Sequence, residues 1–114
     1  MVGRFNVRGG PGETSWEVWD NSVNGQRGSG LTEAAAYELA ADLELQYDAY
    51  GQRSPAHVRK MDSPVPVEVQ TWTGAGSLEA WLYDPKAGQW FGRVRNGVRI
   101  EWIPASELRQ AGRV

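Results

Sequence analysis

The chain has 114 residues, with 14 acidic side chains against 12 Lys and Arg for a formal charge of -2. That length suits one domain or two small units, and the charge argues against broad phosphate neutralisation. There is no cysteine, which excludes disulfide scaffolds, thiolate metal sites and cysteine nucleophiles. No apolar run nears the roughly 20 residues of a membrane span, and Met1 to Asn6 lacks the apolar core of a signal peptide, so a cytoplasmic location without membrane contact is expected.

Arg4 to Arg8 alternates weakly and is broken by Gly9-Gly10-Pro11-Gly12. Thr14 to Asp20 reads as a strand with Trp16 and Val18 on one face and Ser15, Glu17 and Trp19 on the other. Turn residues fill Asn21 to Gly25, and a short third strand is expected around Gln26 to Gly28. Thr32 is a good N-cap, and the Ala-rich run behind it predicts a helix to Tyr47 or Tyr50 with Gly51 as the stop. Its buried stripe should be Ala36, Leu39, Ala40, Leu43 and Tyr47, while Glu38, Asp42 and Glu44 belong to a solvated face. Ser54-Pro55 starts a short turn through Lys60. Proline restricts residues 62–66 to extended backbone, and they are expected to connect a first unit, 1–61, to a second, 67–114.

In the second half Val67 to Trp72 and Leu78 to Asp84 read as strands, and Pro85 to Gly88 as a turn into a hairpin spanning Trp90 to Pro104. Two registers compete for the hairpin. A two-residue loop at Asn96-Gly97 mixes charged and aliphatic residues on each face. A three-residue loop, Arg95-Asn96-Gly97, pairs Val94 with Val98, Gly92 with Ile100 and Trp90 with Trp102, and is preferred. It leaves Phe91, Arg93, Arg99 and Glu101 on the outer face. Ala105 to Leu108 suits one helical turn, and Arg109 to Val114 a short last strand or a frayed tail.

Three pieces of the second half, Ala80-Trp81-Leu82-Tyr83-Asp84, Trp90-Phe91-Gly92-Arg93 and Trp102-Ile103-Pro104-Ala105-Ser106-Glu107-Leu108, occur in the order of the Src-homology-3-like small barrels, which roughly residues 65 to 112 resemble. The resemblance implies a C-terminal small barrel and a role in protein binding; with the hairpin and helix read in the first half, the expected fold is an α+β protein, an N-terminal antiparallel hairpin plus one helix packed on that barrel. The resemblance also implies burial of Ile103, against the preferred register, which buries Trp102. Glu107 stands where the family has a tyrosine, and only Pro85 to Gln89 replaces its long acidic loop, which argues against binding of proline-rich peptides. The first half resembles, in element order alone, the arm-binding domains of tyrosine integrases. Glu13, Glu17 and Asp20 on its hairpin argue against DNA entry there. Ten Arg against two Lys, with Ile only at 100 and 103, resembles GC-rich coding sequence of actinobacteria, their phages and mobile elements.

His57 is the only histidine, without a Cys or carboxylate cluster at ligand spacing, and reads as a surface residue. With no phosphate loop and no catalytic constellation, the chain is expected to be non-enzymatic and to need no cofactor. Trp16, Trp90 and Trp102 are expected in the core. Trp19, Trp72, Trp81, Tyr83 and Phe91 fall on the opposite faces, and of these Trp81, Tyr83 and Phe91 are the expected binding aromatics, beside the local basic cluster Arg93, Arg95 and Arg99. These six residues are the predicted partner-binding site of an interaction module, an accessory or inhibitor protein. The alternative is a nucleic-acid-binding accessory domain that uses the three arginines. Oligomeric state is not legible.

Overall fold

The structure is a computed structural model that describes residues 3–48 and 51–111. It is an α+β protein with one α-helix and two antiparallel sheets among the described residues, divided into units 1–53 and 54–114. The first unit contains β1 (Phe5–Arg8), β2 (Trp16–Asp20), β3 (Gly25–Leu31) and α1 (Glu33–Gln46), its strands in the order β1-β2-β3. The weak third strand is longer than expected.

Thr32 Oγ1 accepts from Ala35 N at 3.2 Å, which satisfies one of the free N–H groups at the start of α1. Small residues then let the helix approach the sheet closely. Phe5, Val18, Ala36 and Ala40 form the buried core, with the half-buried Leu39, Leu43 and Tyr47 packed around it, so the expected stripe faces the sheet, but Ala41, Glu44 and Leu45 outside that stripe are buried as well. The helix ends earlier than Gly51: Tyr47 is already extended, and Asp48 Oδ1 accepts from Gly51 N at 3.0 Å. Tyr50, the longer of the two expected ends, lies outside the described residues.

Glu44 is not on a solvated face. Its side chain is 2% exposed and faces Arg53, also 2% exposed, whose Nη2 donates to Glu44 Oε1 at 3.2 Å. Arg53 also donates from Nε to the Glu44 carbonyl at 2.8 Å and from Nη2 to the Tyr47 carbonyl at 2.9 Å. One side chain therefore satisfies acceptors at the end of the helix, where carbonyls lack helical partners. A second buried carboxylate, Asp20, is 0% exposed. It accepts from Arg4 Nε at 2.9 Å, Arg4 Nη2 at 3.1 Å, Arg27 Nε at 2.8 Å and Ser22 N at 2.9 Å.

The second unit starts with a 3₁₀ turn, Pro55–His57, and continues through β4 (Val58–Val69), β5 (Ala75–Asp84), β6 (Gln89–Asn96), β7 (Arg99–Pro104), a 3₁₀ turn at Ala105–Glu107 and β8 (Leu108–Gln110). The strands lie in the order β7-β6-β5-β4-β8 and curl into a half-barrel. Residues 62–66 are extended, as their prolines require, yet they lie within β4, and the unit boundary falls at Arg53 and Ser54. Extended backbone serves equally as a connector or a strand, so proline restriction does not separate the two. Residues 112–114, the end of the expected last strand or tail, lie outside the described residues.

Neither considered hairpin register occurs. Asn96 pairs with Arg99, Arg95 with Ile100, Arg93 with Trp102 and Gly92 with Ile103. The loop is Gly97-Val98, and Gly97 has φ 64°, the conformation a type II′ turn needs at its first central residue. Trp90 and Trp102 consequently fall on opposite faces, and Ile103 joins the core in place of Trp102. A second irregularity decides the other faces. Leu78 pairs with Val94 and Ala80 with Arg93, so Glu79 is an extra residue, a β-bulge. Directly opposed residues share a face. Leu78, Trp81, Tyr83, Trp90, Gly92 and Val94 therefore lie on the core face, while Ala80, Leu82, Phe91 and Arg93 lie on the other.

The core of this unit is Val67, Val69, Leu78, Val94 and Ile103, with Trp72, Trp81 and Leu108 against it. Gly76 is part of its closure. A Cβ there would collide with Val94 Cγ1 and lie 3.0 Å from the Trp72 ring and 3.1 Å from the Arg95 carbonyl oxygen. Valine is stiff at χ1 and a backbone oxygen cannot retreat. Gly76→Ala is expected to lower unfolding free energy by about 1–3 kcal/mol, measured by urea denaturation; an unchanged midpoint would show that the strands separate freely there.

Candidate interaction face

The six residues predicted to bind a partner do not form one surface. Trp81 and Tyr83 lie on the core face of the half-barrel, whereas Phe91, Arg93 and Arg95 lie on the opposite face, because the Glu79 bulge shifts β5 by one residue relative to β6. Arg99 pairs with Asn96 and shares its face with Glu101 and Val94, away from Arg93. Trp81 packs against the hydrophobic core.

The bulge also places Glu79 between two of the arginines. Arg93 Nε donates to Glu79 Oε1 at 3.0 Å, and Arg95 donates from Nε to Oε2 at 2.7 Å and from Nη2 to Oε1 at 3.3 Å. Arg93 is 7% exposed. One carboxylate thus offsets part of the positive charge that makes this cluster conspicuous in the sequence. The same pattern recurs through the chain: Arg4 and Arg27 pair with Asp20, Arg8 with Glu17, Arg53 with Glu44 and Arg109 with Glu68.

Arg59 is different. It is exposed, and its guanidinium lies 5.2 Å from the centroid of Trp90, with no carboxylate among the described residues paired to it. Register explains the meeting: Arg59 is opposite Trp81 on β5, Trp81 is opposite Gly92 on β6, and Trp90 is two residues along on that same face. Tyr83 is directly opposite Trp90, with ring centroids 5.3 Å apart and planes at 56°. His57, from the 3₁₀ turn before β4, adds its ring at 5.3 Å from Tyr83 and 58° to it. The tilted arrangements are those that aromatic quadrupoles prefer. The result is a row of half-buried His57, Tyr83 and Trp90 with Arg59 over its far end, on the core face where β5 turns into β6.

Three of these four residues escape the sequence argument. Trp90 reads as core in the preferred register, His57 as an isolated surface histidine, and Arg59 has no basic neighbour but Lys60. The local alternation of Val58 to Lys60 is the signal available, and it matters only once β4 is known to pair with β5. At the other end of the strands Val69, Trp72, Gly74, Glu107, Leu108 and Arg109 are among the residues lining an open groove of about 680 Å³ between the β4–β5 turn and the second 3₁₀ turn. Its rim pair, Arg109 Nε to Glu68 Oε2 at 2.9 Å, is solvent-exposed and contributes little.

Burial, the largest influence, pushes the Glu44 carboxyl up to about 7, against the opposing pull of Arg53 and the backbone N–H groups of Gly3 and Phe5. Asp20 is held down at about 2, chiefly by its hydrogen bonds from Arg4, with burial opposing and Arg27 and Ser22 assisting. Both carboxylates belong to the interior of the first unit and are fully engaged there, which makes them structural groups.

Among the described residues, no cluster of three or more His, Asp or Glu is placed to hold a metal ion, and no helix is long and apolar enough to cross a membrane. Comparison with protein-family models, curated proteins and solved structures finds no match to this chain.

Proposed function

We propose that the protein is a non-enzymatic interaction module whose second unit binds a polypeptide partner through the His57–Arg59–Tyr83–Trp90 row. The observation that carries this reading is the allocation of Arg59. Its guanidinium rests on Trp90, 5.2 Å from the ring centroid, at the end of a row that continues through Tyr83 and His57, while Arg93 and Arg95 on β6 are engaged by Glu79. Tyr, Trp and Arg are the side chains that most often dominate protein interfaces, because they combine large apolar area with directed hydrogen bonding. The strand order, with a 3₁₀ turn before the last strand, supports the Src-homology-3-like reading of this unit. The motif Ala80 to Asp84 lies on the second of the five strands.

The nucleic-acid reading has less to draw on. Phosphate binding needs several free cations on one surface, and Arg93 and Arg95 share a carboxylate while Arg99 lies on the other face. The experiment is a selection of the whole chain against a random displayed-peptide library. Peptides should enrich, and Trp90→Ala should weaken them by more than tenfold, the scale of an interface hot spot, with circular dichroism unchanged. Tyr83→Ala provides a second variant if Trp90→Ala does not fold. Selection of no peptide, or peptides indifferent to both variants, would remove this reading.

A further inference from the structure

We infer that the ligand of this row is an acidic polypeptide segment, with a carboxylate of the ligand on Arg59 and an adjacent apolar side chain over Tyr83 and Trp90; this rests on the interaction reading above. The first argument is charge complementarity. Arg4, Arg8, Arg27, Arg53, Arg93, Arg95 and Arg109 each have a carboxylate of this chain, and Arg59 has a ring. A ring under the guanidinium steadies it without occupying the N–H donors along its edge. Those donors match the two oxygens of a carboxylate, and the side-chain freedom lost on binding is smaller because the ring already restrains the group.

The second argument is the shape of the row. Tyr83 and Trp90 sit directly opposite each other on adjacent strands, two half-buried tilted rings with the guanidinium over Trp90. His57 extends this surface by one ring. A carboxylate next to an aliphatic or aromatic side chain matches that sequence of chemistry. A basic segment would place like charge against Arg59. A nucleic acid would bring successive phosphates to a row that ends in one guanidinium, on a chain of net charge -2.

The peptide selection provides the test. Enriched peptides should carry Asp or Glu next to an apolar residue, and exchanging that acid for its amide should weaken binding about tenfold or more. Arg59→Gln, at an exposed position, should produce a similar loss, with little further loss when both changes are combined, as a direct pair requires. Selected peptides without acidic enrichment, or an acid-to-amide exchange that leaves affinity unchanged, would overturn the assignment. Displacement of the peptides by a single-stranded DNA oligonucleotide at moderate salt would also overturn it in favour of nucleic acid. If peptides are still selected and still lost in Trp90→Ala, the interaction reading survives those failures; if none is selected, both readings fall.

Discussion

Replacing Arg53 with alanine should destabilise the first unit by about 3–5 kcal/mol at pH 8, the cost of leaving a buried charge without its partner. Glu44 and Arg53 are each 2% exposed, so water cannot take the place of the guanidinium. The loss should be smaller at pH 5. The Glu44 carboxyl sits at about 7 in the fold against an ordinary 4.5, so between those values the folded chain holds a proton that the unfolded chain has released. Stability linked to this group is therefore fullest below about 4.5 and declines as pH rises through 7. Removing Arg53 pushes the carboxyl up further, and at pH 5 the neutral acid tolerates its burial. Hydrogen bonds from Arg53 to the Glu44 and Tyr47 carbonyls are lost at either pH, so a residual effect persists. Glu44→Gln should flatten the pH dependence between those limits. Urea denaturation at pH 5 and pH 8 measures all three forms; equal losses for Arg53→Ala at both would show that the carboxylate is solvated.

Asp20→Asn should have an effect of similar size, on the order of 3–5 kcal/mol, with the opposite pH signature. The amide keeps the shape but withdraws the charge that holds Arg4 and Arg27, and the Arg4 side chain is 7% exposed. The carboxylate titrates at about 2 in the fold, below its ordinary 3.8. Its contribution is therefore present above about 3.8 and disappears as pH falls toward 2. The native chain should lose stability across that acid interval, and the variant should lose much less there, because the group responsible is gone. Thermal denaturation followed at pH 6, 4 and 3 measures the slope; parallel curves for the two proteins would mean that Asp20 does not drive acid unfolding.

Elements with local causes were legible in the sequence. Thr32 caps the helix, alanines and leucines at helical spacing form its buried stripe, and prolines keep residues 62–66 extended. The location of the second hairpin was legible because Gly97 permits positive φ, but its register was not. Gly97 acts as the first turn residue, and no alternation pattern in the strands distinguishes that role from the second or third. Face assignments failed for a related reason: a bulge at Glu79 leaves no mark in local periodicity, yet moves Trp81 and Tyr83 away from Phe91 and Arg93. The arginines at 93 and 95 were conspicuous by number, and what diminishes their cluster is a carboxylate 14 and 16 residues earlier in the chain. Arg59 is the converse case, unremarkable among its neighbours and given its surroundings by β5 and β6.

The bulge at Glu79 works like an inserted letter in a text read in pairs. Every residue of β5 beyond it is read in the other phase, and Tyr83 meets Trp90 only in that phase. A substitution at 79 would alter a charge while leaving the phase intact. Loss of the single codon would close the ladder with Leu78 still opposite Val94 and Ala80 still opposite Arg93, so the aromatic row would keep its composition while the carboxylate that engages Arg93 and Arg95 would go.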